Sequence, residues 1–190
     1  MKKAYDMNIA GLNRSLPLCA VSEDLYIAAF IIFGDVEITV ASAEALLKKA
    51  PEFDILVTAE AKSIPLIHEM ARQSGHNSYI VARKGPKVYM TDAVTVEVNS
   101  ITTAHTQKLS IGGEDAALLA GKRVLIIDDV ISTGESLAAL EALVEKVGGN
   151  IVGKMAILAE GDAADREDII YLEKLPLFNA DGSVKALNRV

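Results

Sequence analysis

The chain has 190 residues, 51% of them hydrophobic and 24% charged, and a formal net charge of −7. This length suits one domain with a sizeable core, and we expect a single domain over residues 1–190. An acidic chain lacks the positive surface that binds nucleic acid, so we expect no nucleic-acid partner. No apolar run approaches the length that spans a bilayer, so we expect no membrane partner.

Cysteine usage and the first residues indicate a compartment. Cys19 is the one cysteine of the sequence, which excludes an internal disulfide and a cysteine metal cluster. Asp6 and Asn8 interrupt any apolar stretch after the first lysines, so this segment does not resemble a signal peptide. A reducing compartment fits these features, and we expect a cytoplasmic protein.

The first 50 residues predict short strands followed by a helix. Apolar runs at 16–21 and 25–33 have some β character, and Gly34-Asp35 predicts a turn. Helical spacing of apolar residues then predicts a helix over 37–50, which ends at Pro51.

Two strand–helix–strand units follow. They comprise, in chain order, strand 53–57, helix 64–72, strand 78–82, strand 124–127, helix 137–147 and strand 151–158. On the first helix we expect Ile64, Ile67, His68 and Ala71 to share one face. Strands that alternate with helices predict a parallel sheet covered by helices on both faces.

The segment between the two units predicts a β-hairpin. Residues 88–90 and 93–98 alternate or carry β-branched side chains, and Thr91-Asp92 breaks them. Residues 99–107 are polar and rich in Thr, which is typical of a solvated tip. On composition alone this is an ordinary surface hairpin. After the last core strand, residues 162–168 predict a loop or short helix.

Polar residues gather where the strand 124–127 ends. Asp128 and Asp129 follow it directly, and Thr133, Gly134 and Ser136 lie in the loop before the next helix. Open α/β sheets bind ligands at this edge. A helix N-terminus presents unpaired N–H groups to an anion, glycine permits close approach, and the two hydroxyls add donors. These features predict a phosphate-binding loop.

The two carboxylates indicate the rest of the ligand. They repel a phosphate but accept hydrogen bonds from sugar hydroxyls, or act through Mg²⁺. A sugar phosphate therefore fits the stretch. An acid-ended strand of another phosphate-binding or metal-binding fold is the alternative.

Residues 126–136 resemble the motif with which type I phosphoribosyltransferases bind 5-phosphoribosyl 1-pyrophosphate (PRPP). The family pattern is an apolar run, two acids, two mostly apolar residues, a small residue, Thr-Gly, any residue, then Ser or Thr, and every position is met. The resemblance implies an α/β fold whose parallel sheet is flanked by helices. It also implies a core of about 36–159, a small hood built from about 1–35 and 160–190, and a flexible β-hairpin lid.

The resemblance also implies an activity. Such an enzyme transfers phosphoribosyl from PRPP to a purine base of the adenine or xanthine type, releasing pyrophosphate and serving purine salvage as a homodimer. Asp128 and Asp129 are then the catalytic residues, with Mg²⁺ held through PRPP and these acids. The 5′-phosphate would be bound by Ser132, Thr133, Gly134, Glu135 and Ser136.

A second turn resembles the pyrophosphate loop of the family. Glu60-Ala61-Lys62-Ser63 stands where adenine-type enzymes have Glu-Ala-Arg-Gly and xanthine-type enzymes have Glu-Ala-Ser-Gly. Backbone amides of this loop bind pyrophosphate in the family. Ser63, which replaces the usual Gly, is also a good helix N-cap, and capping alone is a sufficient structural explanation.

Several cations are further candidates for the pyrophosphate subsite. Arg83 and Lys84 end a predicted strand, and the family has an Arg-Lys pair here that contributes to binding PRPP. A solvated surface pair is the alternative. Lys87 and His105 lie in the expected lid, where a histidine is more often a surface residue.

Residues near the two ends of the chain are candidates for base recognition. Leu12-Asn13-Arg14 resembles the hood of xanthine-type enzymes, in which an Asn contacts the purine. Glu160 stands where those enzymes keep a Lys, and its carboxylate would accept from an amino group, which favours adenine. An ordinary surface Glu is the alternative. Ser132 stands where hypoxanthine–guanine enzymes have an Asp, which disfavours those bases.

The base itself is left open by the sequence. A PRPP-binding regulatory protein of the same fold, without salvage activity, is the alternative to an enzyme. The acidic charge and the absence of a spare region for a helix-turn-helix argue against a regulator.

Overall fold

The computed structural model describes residues 3–99 and 106–186. The strands are β1 (Ala4–Ile9), β2 (Leu12–Ala20), β3 (Tyr26–Ala28), β4 (Ile55–Ala59), β5 (Ile80–Ala82), β6 (Val94–Asn99), β7 (Thr106–Ile111), β8 (Arg123–Ile131), β9 (Asn150–Glu160), β10 (Ile170–Leu175) and β11 (Leu177–Phe178). The helices are α1 (Val36–Leu47), α2 (Ile64–Ser74), α3 (Gly113–Leu119) and α4 (Glu135–Lys146), with a 3₁₀-helix over Gly161–Asp165. Among the described residues, the helices are too short or too polar to cross a bilayer.

A five-stranded sheet forms the centre of the molecule. Its order is β10-β9-β8-β4-β5, and every neighbouring pair is parallel. The predicted parallel sheet is therefore confirmed, and β8 lies in its middle.

Alternate residues of β8 enter two separate cores. Val124 and Ile126 pack in the core that contains the apolar stripe of α4. Leu125 and Ile127 pack in the other core, with α1 and α2. Successive side chains of a strand point to opposite faces, so a sheet covered on both faces needs an unbroken apolar run. The run 124–127 meets that need.

The two ends of the chain form a second, antiparallel sheet. Its order is β1-β2-β3-β11, and the two ends meet where Ile27 and Tyr26 of β3 pair with Leu177 and Phe178. Phe178 is buried there, and its ring centroid lies 5.0 Å from that of Tyr5. We call this sheet the hood; it takes residues from both stretches expected to form one, 1–35 and 160–190, but β10 of the second stretch belongs to the central sheet.

The predicted hairpin is present, but its strands differ from those expected. β6 pairs with β7 in an antiparallel register from Val94↔Ile111 to Asn99↔Thr106. Residues 88–90 lie in a turn, not a strand, and Val88 is fully exposed. β7 begins within the segment expected to be a polar tip. It forms a strand because its buried residues Leu109 and Ile111 alternate with polar ones. Residues 100–105 lie outside the described part, so the lid stays a prediction.

Two helices also differ from expectation. On α2 the buried stripe comprises Leu66, Ile67, Met70 and Ala71, while His68 is exposed, so its predicted place on the apolar face is wrong. The short helix α3 was not predicted because it buries only Leu119.

A β-bulge sets the register between β8 and β9. Val124 pairs with Ile151, but Leu125 pairs with Gly153, so β9 carries one extra residue. A Cβ on Gly153 would lie 2.8 Å from Leu125 Cδ1 and 3.0 Å from Pro51 Cγ. Because it has no side chain, Gly153 permits β9 to pack closely against Leu125 and Pro51. β9 then continues to Glu160.

We expect Gly153→Ala to destabilise the fold by about 1–3 kcal/mol, because a methyl group here overpacks the core. Thermal unfolding measures the effect. Gly85→Ala is the control, since a Cβ there would meet no atom within 4 Å. Equal melting temperatures for the two variants would contradict the packing argument.

Candidate active site

Four of the parallel strands deliver predicted site residues to one edge of the sheet. β4 leads into the turn 60–63, β5 ends just before Arg83, β8 leads into the loop 132–136, and β9 ends at Glu160. The carboxyl ends of parallel strands lie at the same edge, where such folds bind ligands. Segments separated by 20 to 100 residues in sequence therefore meet there.

The acid pair lies inside a strand. β8 continues to Ile131, so Asp128 and Asp129 precede its end instead of following it as predicted. Asp129 is buried, and its Oδ2 atom lies 2.9 Å from Lys62 Nζ. Asp128 instead lines a concavity of about 90 Å³ together with residues 130–137. Asp128 thus borders the loop after β8, while Asp129 pairs with the turn 60–63 through Lys62.

The environment of Asp128 disfavours its charged form. Burial, followed by the neighbouring Asp129 carboxylate, raises the pKa of Asp128 to about 7. The Asp129 backbone N–H donates to Asp128 Oδ1 at 2.9 Å, and the Lys62 ammonium also favours ionisation, but both effects are smaller. In the free protein, therefore, this acid titrates near neutral pH.

The loop after β8 has the geometry of an anion cradle. Gly134 has φ +80° and precedes α4, so its left-handed backbone suits glycine. This N-cap residue makes no side-chain capping hydrogen bond, and the first turn of α4 lines the concavity, where a helix N-terminus favours an anion. Ser132, Thr133 and Ser136 line the same concavity as Asp128.

Side-chain hydrogen bonds join the turn 60–63 to β4 and β8, and we call this contact the brace. Ser63 Oγ lies 2.6 Å from Thr58 Oγ1, which donates to the Ile127 carbonyl at 2.7 Å. Ser63 occupies the N-cap position of α2, as its place in the sequence suggested, but its buried hydroxyl faces β4 and makes no capping hydrogen bond. The brace joins the turn to β8 one residue before Asp128. The Glu60–Ala61 peptide bond is cis.

Glu60 orients the neighbouring cations. Its carboxylate accepts from Arg83 Nε and, at 2.7 Å, from the Lys84 backbone N–H. The Lys84 N–H and the Arg83 guanidinium hold the pKa of Glu60 below its usual value. Arg83 Nη1 also donates to the Tyr89 hydroxyl at 2.6 Å, and the Lys87 charge acts on Glu60 as well. His105 lies outside the described residues.

Glu160 lies in a cavity between the two sheets. The cavity has a volume of about 260 Å³. Residues 27–31, which comprise the end of β3 and the segment after it, line one part of it, and Lys62, Ser132 and Glu160 line another. Burial raises the pKa of Glu160, while the Ser132 hydroxyl and the Lys62 charge oppose that shift. Ser132 and Lys62 thus connect this cavity with the phosphate loop and the acid pair.

Asn13 is the one predicted site residue in the described part that stands apart from this cluster of subsites. Its side chain accepts a hydrogen bond from Asn8 Nδ2 at 2.9 Å across the β1–β2 hairpin. The adjacent Arg14 is held by Asp35 and Glu37. Asn13 does not line the cavity that contains Glu160.

The acid pair fits a magnesium ion that arrives with a substrate. Among the described residues, no group of three or more His, Cys, Asp or Glu side chains is arranged to hold a metal. Mg²⁺ needs no such cage, since it commonly takes one or two carboxylates and completes its shell with water and substrate phosphates. Asp128 and Asp129 supply hard oxygen donors of that kind.

Comparison with known proteins identifies the family. A family model described as the phosphoribosyl transferase domain matches residues 36–181. The chain belongs to the phosphoribosyltransferase family. The matched region contains the acid pair, both loops and Glu160, and the fold and the enzyme class predicted from residues 126–136 are thereby confirmed.

Relatives of this phosphoribosyltransferase share most of its length. An adenine phosphoribosyltransferase of Rhodococcus jostii is 30% identical over 148 residues, which cover 77% of this chain and 78% of that protein. The solved adenine phosphoribosyltransferase of Thermoanaerobacter pseudethanolicus has a TM-score of 0.63 at 26% identity, over 75% of this chain and 84% of that one. The Rhodothermus marinus structure of the same name shares the fold, with a TM-score of 0.64 at 20% identity over 91% and 94%.

Sequence reasoning missed two residues near the phosphoribosyltransferase site. Thr58 is a polar residue inside the apolar strand β4, a signal that could have indicated its bracing role. Arg166 lies against Gly134, although it is 32 residues further along the chain. Its sequence context, an acidic loop, offers no signal for that contact.

The raised pKa of Asp128 predicts how the stability of the fold depends on pH. Since the folded-state pKa exceeds the ordinary value of 3.8, the folded state keeps a proton that the unfolded chain releases. The contribution of Asp128 to stability is therefore present at low pH and is lost as pH rises from about 4 to 7. We expect Asp128→Asn, which cannot ionise, to melt several degrees above the unmodified chain at pH 8, while turnover falls sharply.

Thermal unfolding in EDTA across pH 4 to 8 checks this expectation. The difference in Tm should grow up to about pH 7 and then stay constant. Asp162→Asn is the control, because Asp162 is exposed. A difference that does not change with pH would show that Asp128 ionises normally in the folded chain.

Proposed function

We propose that this phosphoribosyltransferase transfers the phosphoribosyl group of PRPP to adenine, forming AMP and releasing pyrophosphate for purine salvage. The observation that carries the proposal is the way two side chains connect the subsites. Lys62 joins the turn 60–63 to Asp129, and Ser132 joins the phosphate loop to Glu160. Phosphate, ribose, pyrophosphate and base would thus bind next to one another at one sheet edge.

The subsites divide PRPP among them. The loop 132–136 would hold the 5′-phosphate through backbone amides and hydroxyls. Asp128 and Asp129 would accept hydrogen bonds from the ribose hydroxyls. Pyrophosphate would lie against the amides of 60–63 and the cations Lys62, Arg83, Lys84 and Lys87, with Glu60 holding Arg83 in place.

Electrostatics at the acid pair would favour the reaction. As pyrophosphate departs, positive charge develops at the anomeric carbon, and fixed carboxylates nearby stabilise it. Lys62 offsets the charge of Asp129 in the free protein. Magnesium, when bound through PRPP, neutralises the charge of the leaving pyrophosphate.

Glu160 supports adenine as the base. Its carboxylate lies in the cavity beside the acid pair and can accept from an exocyclic amino group. Xanthine presents carbonyl oxygens there, which cannot donate to the half-buried Glu160 carboxylate, so its binding would be weaker than that of adenine. The relatives named adenine phosphoribosyltransferase point to the same base.

The hood and the core would work as one unit over residues 1–190. Residues 27–31 of the hood side and Ser132 of the core line one cavity, so the base would bind between them. The single exposed Cys19 accords with action in a reducing cytoplasm.

A panel of bases tests the proposal. The chain is incubated with PRPP, Mg²⁺ and adenine, xanthine, hypoxanthine or guanine, and nucleotide formation is followed by chromatography. We expect AMP from adenine at a kcat/KM well above that for the other bases. PRPP binding without nucleotide from any base would indicate a regulatory protein instead.

Glu160→Lys tests the origin of the preference. Replacing the acceptor with a donor should shift the ratio of kcat/KM values from adenine toward xanthine. Glu160→Gln keeps an acceptor oxygen and should shift the ratio less. Glu173→Lys on the exposed side of β10 controls for the charge change. An unchanged ratio in Glu160→Lys would assign base choice to other residues.

We also propose that two copies of the chain associate through the α1–α2 face. A groove of about 350 Å³ there is lined by apolar residues such as Val36, Val40, Ile64 and Pro65. Val36 is 74% exposed and Val40 is 39% exposed, and Phe33 beside them is 51% exposed. The groove is also lined by Asp35, His68 and Glu69, and exposed apolar residues rimmed by polar ones are typical of an interface.

Analytical ultracentrifugation tests the homodimer. We expect Val36→Asp combined with Val40→Asp to weaken self-association, because each charge would have to be desolvated in the interface. Leu118→Asp is the control, since Leu118 is equally apolar and exposed but lies on α3. A monomeric parent chain, or a dimer insensitive to both substitutions, would exclude this interface.

A further inference from the structure

Arg166 lies directly against the phosphate loop. It follows the 3₁₀-helix Gly161–Asp165, and a Cβ placed on Gly134 would come within 2.6 Å of Arg166 Nη1. The guanidinium therefore contacts the left-handed residue at the start of α4 and occupies the space that a larger side chain would need. The left-handed backbone conformation requires glycine at position 134, and a larger side chain would displace the guanidinium.

Asp168 holds the guanidinium in a fixed orientation. Arg166 Nε and Nη2 donate to the two oxygens of Asp168 at 2.8 and 2.7 Å. Such a two-point contact fixes the plane of the group. Nη1 takes no part in this two-point contact and lies on the side of the loop, beside Gly134.

The neighbouring contacts do not depend on Arg166. Lys154 Nζ already donates to Glu141 on α4 and to Asp168, and it thereby ties β9 to both elements. Lys154 is only 14% exposed, whereas Arg166 is 31% exposed. The guanidinium is therefore accessible to a ligand and is not needed to join these elements.

The phosphate loop lacks a cation of its own. Residues 132–136 contain hydroxyls, a glycine and the acidic Glu135. Backbone amides and a helix terminus bind phosphate, but a guanidinium adds charge-assisted hydrogen bonds of fixed geometry. Arg166 is the cation that tertiary structure brings to this loop.

We propose that Arg166 Nη1 donates to the 5′-phosphate of the substrate and that Arg166 is a specificity residue for phosphorylated over unphosphorylated ribose. This inference rests on the proposed function, since it assumes that the loop holds that phosphate. Asp168 is a positioning residue, because it acts only by orienting Arg166. One short segment then carries the base acceptor, Glu160, at its start and the phosphate donor at its end.

Isothermal titration with ribose 5-phosphate and, separately, with adenine tests the proposal on the full chain. For Arg166→Gln we expect the Kd of ribose 5-phosphate to rise about tenfold or more, as for the loss of a charge-assisted hydrogen bond. The Kd of adenine should not change. In steady-state kinetics the KM for PRPP should rise much more than kcat falls.

Two further substitutions separate charge from geometry. Arg166→Lys keeps the charge but loses the two-point contact, so it should recover part of the affinity for ribose 5-phosphate. Lys174→Gln is the matched control: Lys174 is 63% exposed, and it pairs with Asp165 of the same segment at 3.8 Å. It should bind ribose 5-phosphate like the unmodified chain.

The outcomes distinguish this inference from the proposed function. Equal binding of ribose 5-phosphate by Arg166→Gln and the unmodified chain would overturn the role of Arg166 alone. Equal weakening toward ribose 5-phosphate and adenine, with a lower melting temperature, would assign Arg166 a purely structural role. An unmodified chain that binds no ribose 5-phosphate would overturn the proposed use of the loop as well.

Discussion

The burial of β8 on both faces is the constraint on which the rest of the structure depends. Val124 to Ile127 must all be apolar, because one half of the run packs on α4 and the other half on α1 and α2. Polar groups are excluded from the middle of such a strand. They occur where the helices no longer cover both of its faces. Asp128 and Asp129 lie at that boundary, where burial raises the pKa of Asp128 and Lys62 pairs with Asp129.

Lys62 stabilises the buried carboxylate of Asp129 in the free protein. A charged Asp129 without a partner would cost several kcal/mol, and the ammonium at 2.9 Å offsets part of this cost. The same lysine belongs to the turn proposed to bind pyrophosphate. Binding of PRPP would therefore redistribute the contacts of Lys62 between its carboxylate partner and the incoming anion, and it would link ribose and pyrophosphate recognition through one side chain.

Long periodic elements were predictable, and short ones were not. The spacing of apolar residues predicted α1, α2 and α4 and the central strands, since each buries a face long enough to leave a pattern. α3 and the turn at 88–90 leave no such pattern. The sequence of β7 is largely polar, and the burial of its residues Leu109 and Ile111 follows only from its pairing with β6. The stability of these short segments comes from distant contacts that local sequence does not record.

The fold class and the chemistry of the central loop could be read from local sequence. Both depend on contiguous residues whose local backbone forms the site: a buried run, two acids, a glycine and a helix N-terminus. The remote side chains that complete the site are set by tertiary packing. Packing directs the Ser63 hydroxyl to Thr58 instead of to the first turn of α2, and it brings Arg166 to Gly134. Such contacts join segments whose separation is set by packing, and packing is a property of the whole chain.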